Sequence, residues 1–270
     1  EPRSAIEQAD LDMDGHDEVF LQNGRLQAVI RLDGSASVCE LDSYRLQHNF
    51  GDTLTRQAEH YHRKINLGAG HEPSGEGISN PHERVSFRHE ILPADLAMDD
   101  YSKTLFRDFW LVDDVAQPIL YAQIDAKTPN LQFESLDPGV QKLIQVENDS
   151  LVVAYSFAQP LGQAFQIEIN LAMPSCDGPA GRLRVGEEIL GGFGQAHVKH
   201  ALTELWLEDE VLGGALRIGT SLPCRLTSAP HFSVSQSEAG FEKIMQAVTL
   251  QLSWTAQTPQ EKLTVVIEVI

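Results

Sequence analysis

Apolar and polar positions alternate with period two along most of the chain, the pattern of strands that bury one face. In residues 165–171, Phe165, Ile167, Ile169 and Leu171 alternate with Gln166, Glu168 and Asn170, and Pro174 closes the run. The same alternation runs through Leu26, Ala28, Ile30 and Leu32, through Val85, Phe87, His89 and Ile91, and through Val248, Leu250, Leu252 and Trp254. Asn23-Gly24 and Asp33-Gly34 bracket the strand from Arg25 to Leu32 with dipeptides that adopt positive φ at low cost. One segment departs from the pattern. Leu54, Ala58, Tyr61 and Ile65 fall at helical spacing, with Asp52 or Thr53 placed to cap the first turn, which predicts a short helix over Thr53 to Ile65. Four glycines and two prolines make the stretch from Gly68 to Pro81 a long polar loop. No boundary or repeat interrupts the series, so the expected fold is all-β: one large two-sheet antiparallel β-sandwich over residues 1–270 with one short helix.

Charge narrows the partners. The 39 acidic residues against 20 basic ones give a formal charge of -19, which repels nucleic-acid backbones and anionic membrane surfaces. Apolar runs break off within about 8 residues, against the roughly 20 that a spanning helix needs. Cys39, Cys176 and Cys224 are odd in number and far apart, so neither a disulfide framework nor a cysteine zinc site is indicated, and a reducing cytoplasm fits best. The start at Glu1-Pro2-Arg3 has no initiator Met and no signal segment, and Leu263 to Ile270 still reads as a strand; both ends are expected to be cuts from a longer polypeptide.

The densest chemical motif is the acidic run Asp10-Leu11-Asp12-Met13-Asp14-Gly15-His16-Asp17-Glu18. Carboxylates at alternate positions followed by glycine let the backbone curl, so that several oxygens converge on a hard cation. A calcium site is expected, with side-chain oxygens from Asp10, Asp12 and Asp14, the carbonyl of His16, and Glu18 bound directly or through water. Leu21 stands where an EF-hand places its bidentate Glu, which excludes an EF-hand proper. The alternative is a solvated acidic turn, but five acids within nine residues repel one another without a counter-ion. His60 and His62 with Glu59 have zinc-ligand chemistry, yet residues two apart on a helix point about 200° from each other and cannot share a metal.

Catalytic signatures are absent: the sequence holds no GxSxG, HExxH or P-loop, and Gly191-Gly192-Phe193-Gly194 lacks dinucleotide-loop spacing. A glycosidase-type carboxylate pair stays open in a chain with 39 acids. Trp110, Trp206, Trp254, Tyr61 and Tyr101 could stack on sugar rings, although aromatics on strands are more often core.

Three stretches carry a resemblance: Glu40-Leu41-Asp42 through Asn49 and Leu54-Thr55-Arg56 to Glu59-His60-Tyr61-His62-Arg63-Lys64; Asp100-Tyr101 through Phe106 to Phe109; and Ser233 through Phe241-Glu242 with Gln246 and Trp254 beyond. They resemble the C-terminal β-sandwich of family 57 glycoside hydrolases, the 4-α-glucanotransferases and α-amylases, from about residue 10 to the end. Gln57 and Phe109 depart from that pattern, where the family shows Arg and His. The resemblance implies a galactose-mutarotase-like supersandwich. It further implies that the catalytic Glu and Asp belong to an N-terminal β/α barrel, which no part of this chain matches.

On that basis the expected function is a noncatalytic accessory domain that packs on a glucan-processing barrel and contacts an α-glucan or maltooligosaccharide, with Arg56, Glu59, Tyr61, His62, Tyr101, Arg107 and Trp110 as the contact surface. Two rivals stay open: a free-standing sugar enzyme such as an aldose epimerase, for which His89, His197 and His200 are available, and a purely structural module.

Overall fold

A computed structural model describes residues 5–63, 65, 91–127, 130–136, 139–158, 162–176, 178–237, 240–255 and 262–270. Among them, two antiparallel sheets account for nearly all regular structure. The smaller sheet follows sequence order: β1 (Ala5–Ala9), β2 (Glu18–Gln22), β3 (Leu26–Arg31), β4 (Val38–Ser43) and β5 (His48–Asn49). The larger is built from β6 (Arg107–Val112), β7 (Val115–Pro118), β8 (Tyr121–Lys127), β9 (Asn130–Ser135), β10 (Val140–Glu147), β11 (Ser150–Phe157), β12 (Ala164–Leu171), β13 (Gly181–Val185), β14 (Glu188–Gly192), β15 (His197–Asp209), β16 (Gly214–Ser237), β17 (Gly240–Trp254) and β18 (Lys262–Val269). The expected strands from Leu26 and over 165–171 form as β3 and β12, and Asn23-Gly24 turns between β2 and β3. The run from Val85 to His89 and the loop from Gly68 to Pro81 lie outside the described residues.

Strand β16 organises the larger sheet. Its first part, Leu216 to Thr220, pairs with β18, and its second, Arg225 to Ser237, pairs with β17. One chain thus changes neighbour midway, the way a strand turns a sandwich corner. Strands β2 and β3 pack on β10 and β11, and the apolar faces of both sheets merge into one core that includes Leu21, Ile30, Leu41, Ile144, Val153, Phe165 and Trp254. Phe165 is the hub of an aromatic cluster, with the rings of Tyr155, Phe157, Trp110 and Trp254 at 5.1, 5.3, 5.6 and 6.2 Å.

The polar face of β12 is not open to solvent as its alternation implies. Residues 99–105 cross it, so Glu168 is buried and Asn170 fully so. Asn170 donates its backbone N–H and its Nδ2 to the Thr104 carbonyl at 3.2 and 2.9 Å, and Lys103 Nζ meets Glu168 Oε1 at 3.0 Å. Burial by itself raises the Glu168 carboxyl, but Lys103 and the hydrogen bonds from Asn170 and Gln251 outweigh it and hold the group below the usual range.

The helix expected over Thr53 to Ile65 is corrected. Residues 53–59 form no helix, and helical backbone is confined to 62, 63 and 65. Tertiary partners take the polar groups that a helix would use. The Arg56 N–H donates to Asp99 Oδ2 at 2.7 Å, the Asp99 N–H returns to the Arg56 carbonyl at 3.1 Å, and Thr53 Oγ1 donates to the Lys103 carbonyl. Propensity is a weak prior against such pairing.

Candidate functional site

Because residues 53–61 form no helix or strand, they and His62 form one wall of a groove whose floor is the β16–β17 pair and whose far wall is a 3-10 turn, Pro93–Leu96. The groove has a volume of about 350 Å³ and is lined by Arg56, Glu59, Tyr61 and His62 together with Ser233 and Gln246. Each wall is fixed. Asp95 on the turn accepts from Leu92 N at 2.8 Å and pairs with Lys243 Nζ at 2.6 Å. Tyr61 donates its hydroxyl to the Val234 carbonyl at 3.0 Å and lays its ring 6.2 Å from that of Phe241. Arg56 is committed to structure, its Nη2 on Asp99 Oδ1 at 2.8 Å and its Nη1 on the Ala94 carbonyl at 3.3 Å.

His62 differs. Its Nδ1 accepts the Glu59 N–H at 3.3 Å, which leaves the proton of a neutral ring on Nε2, and Nε2 is buried with no acceptor among the described residues. The groove therefore offers an unused N–H beside an aromatic ring, with the hydroxyl and amide of Ser233 and Gln246, bonded to each other at 2.7 Å, on its floor.

The other three expected contact residues do not join this groove. The Arg107 guanidinium stacks over the Tyr101 ring at 4.6 Å, and Tyr101 packs 5.7 Å from Phe109. Burial pushes the Arg107 pKa down, with Asp33, Tyr101 and Glu168 opposing it. Trp110, one residue on from Phe109, turns to the opposite face of β6 and packs on Phe157 and Phe165. Trp254 is core, and Trp206 lies under the Arg184 guanidinium at 4.8 Å.

The acidic loop gathers a subset of its expected ligands. Carboxylate oxygens of Asp10, Asp12 and Glu18 lie within 4.8 Å of one another, with Glu18 buried at the base and the two aspartates exposed. Asp14 is outside this group and accepts the His16 N–H at 2.8 Å. Further carboxylate-to-backbone bonds, Asp14 N to Asp12 at 3.2 Å and Gly15 N to Asp10 at 3.2 Å, curl the chain, and Met13 and Gly15 take φ of 59° and 92°. Arg31 Nη2 meets Asp12 Oδ2 at 2.6 Å, a partial counter-charge. Three hard oxygens at this separation suit an oxygen-seeking cation.

Residues 10–267 match the model of the family described as Alpha-amylase/4-alpha-glucanotransferase, C-terminal. The chain belongs to this family of C-terminal domains. It is 26% identical over 276 residues to the α-amylase of Pyrococcus abyssi, covering 92% of this chain and 38% of that protein. The chain thus spans under two-fifths of the relatives it matches. In structure it is similar to the 4-α-glucanotransferase of Thermococcus litoralis (TM-score 0.69, 20% identity, 98% of this chain and 39% of that one). A putative mutarotase from Salmonella typhimurium shares the fold (TM-score 0.55, 9% identity, 98% and 93% of the two chains), the galactose-mutarotase-like architecture.

Sequence reasoning missed Asp99 and His231, which hold the groove's inner wall. His231 Nε2 lies 3.1 Å from the Leu54 carbonyl and 3.2 Å from Asp99 Oδ2, and both side chains are buried. Nothing local marks them; the contact joins positions far apart in the chain. Burial lowers the His231 pKa, with Asp99 opposing. Burial also raises Asp99, but the hydrogen bonds and charge of Arg56 with His231 outweigh it and hold Asp99 below the usual range. Both shifts have the same sign for stability. The unfolded chain binds protons more readily, so stability present near neutral pH is lost as pH falls, first through the His231 range below about 6.5 and then below the carboxylate range near 4. Thermal midpoints of the chain are expected to fall between about pH 7 and 5, and His231→Gln is expected to flatten that slope; an unchanged slope in the variant would assign the titration elsewhere. Of the histidines considered for an epimerase, His197 Nε2 lies 3.3 Å from the Gly192 carbonyl, His200 is exposed, and His89 lies outside the described residues. Among the described residues, no helix is long and apolar enough to cross a membrane.

Proposed function

We propose that this chain is the noncatalytic C-terminal accessory domain of a cytoplasmic α-glucan-processing enzyme of glycoside hydrolase family 57, supporting an N-terminal catalytic β/α barrel. Its groove at Tyr61 and His62 contacts α-glucan, and calcium held by Asp10, Asp12 and Glu18 pins the N-terminal loop to the sandwich. The α-amylase and 4-α-glucanotransferase relatives are more than twice its length, which supports a separate catalytic part in the sequence they do not share with it. The observation that carries the sugar reading is the unpartnered His62 Nε2 beside the Tyr61 ring. A neutral glucan supplies the missing acceptor from a hydroxyl and a CH face for the ring.

Isothermal titration with maltoheptaose tests this. Binding is expected, and His62→Ala is expected to weaken it about tenfold, the scale of one hydrogen bond to a buried donor. No heat of binding with the unaltered chain would remove the sugar and leave a structural module that serves its catalytic partner alone.

A further inference from the structure

A second recess lies next to the groove, between the β4–β5 end of the small sheet and residues 102–104, with a volume of about 250 Å³. Its walls include Arg31, Glu40, Asp52, Thr55, Lys103 and Thr104. Gly51 lets the backbone close its floor: a Cβ there would stand 2.5 Å from the Cys39 carbonyl oxygen. Thr55, whose Oγ1 accepts the Lys103 N–H at 2.9 Å, lines both recesses and separates them.

Two polar atoms in these walls have no partner among the described residues. Thr104 is 4% exposed, and its Oγ1 makes no hydrogen bond there; Arg31 Nε is likewise buried and unpaired, although the Cys39 thiol interacts with the guanidinium. Buried polar groups are nearly always satisfied, so such a pair on one cleft marks where a guest supplies the missing bonds. The charges select the guest. Among the lining residues, the two cations Arg31 and Lys103 balance the two acids Glu40 and Asp52, so the cleft carries no net charge that would favour an anion or a cation. What remains is a neutral molecule that donates to carboxylates and accepts from Thr104 and Arg31. The volume, below the roughly 300–1,000 Å³ of pockets for drug-sized ligands, limits it to one ring.

We propose that this cleft is a binding site for a neutral polyhydroxylated ligand of monosaccharide size, the chemistry of a single glucose unit. The choice of glucose rests on the glucan reading of the adjoining groove; the cleft's geometry does not. Saturation-transfer NMR of the chain with glucose and with maltose reads the site, and Thr104→Val removes the hydroxyl while keeping the shape. Because Oγ1 is unpaired in the fold, Thr104→Val is expected to leave the thermal midpoint unchanged or higher, yet to weaken glucose at least tenfold. Asp52→Ala, at an exposed position on the mouth, is expected to weaken it as well and serves if Thr104→Val does not fold. Tyr61→Ala, confined to the groove, is expected to leave glucose binding intact. The cleft is overturned if neither sugar binds the unaltered chain, if Thr104→Val binds as tightly as the parent, or if Tyr61→Ala abolishes glucose binding. Glucose binding without maltoheptaose binding removes the groove reading alone, and the converse removes the cleft alone.

Discussion

Lys142→Met is expected to cost about 3–5 kcal/mol of stability, roughly 10 °C in Tm for a chain of this size. Lys142 and Asp108 are both fully buried, with Nζ to Oδ2 at 2.7 Å. Further bonds hold the pair: Lys142 also donates to the Phe106 carbonyl at 2.6 Å, and the hydroxyls of Tyr121 and Tyr155 donate to Asp108 at 2.9 and 2.8 Å. Burial drives each group toward its neutral form, Asp108 upward and Lys142 downward, and their mutual attraction opposes this. Removing the lysine strands a carboxylate among β6, β8, β10 and β11. A double variant, Lys142→Met with Asp108→Asn, keeps an acceptor for the tyrosines without a stranded charge and is expected to recover part of the loss. Chemical denaturation checks both. A Lys142→Met loss under about 1 kcal/mol would mean that water reaches the pair, or that the network relaxes around the gap.

The second large effect concerns calcium. If Asp10, Asp12 and Glu18 hold the ion, adding calcium at about 100 times its Kd after chelation stabilises the chain by about 2.7 kcal/mol, an expected rise of about 5–10 °C in Tm. Asp12→Ala is expected to abolish the rise while leaving the metal-free midpoint nearly unchanged, because Asp12 is exposed and its ion pair with Arg31 is only partly buried. Magnesium, which demands tighter octahedral geometry, is expected to do less. If chelation and calcium leave the midpoint unmoved, the loop is a carboxylate-capped turn whose bonds to its own backbone are sufficient to shape it.

What the sequence determined by itself follows from local rules. Side chains alternate across a strand whatever surrounds it, so β3, β12 and β17 were legible from Leu26, Phe165 and Val248 onward. The acidic spacing put Asp10, Asp12 and Glu18 together because the ligands of a tight loop are sequence neighbours. Family membership was legible from Ser233 to Gln246, the stretch that supplies the groove's floor. Only the tertiary structure decided the rest. Helical spacing from Leu54 to Ile65 lost to Asp99, Lys103 and His231, partners at least 43 residues away that no window around residue 54 contains. Arg107 and Trp110 read as one contact surface with Tyr61, yet they are three residues apart on β6 and project to opposite faces of the strand. Alternation puts Lys142 on the face of Val140, Ile144 and Val146, but the pattern does not say what pairs with its charge there. Its burial depends on Asp108, Tyr121 and Tyr155 converging from three other strands, a coincidence of three-dimensional packing rather than of pattern.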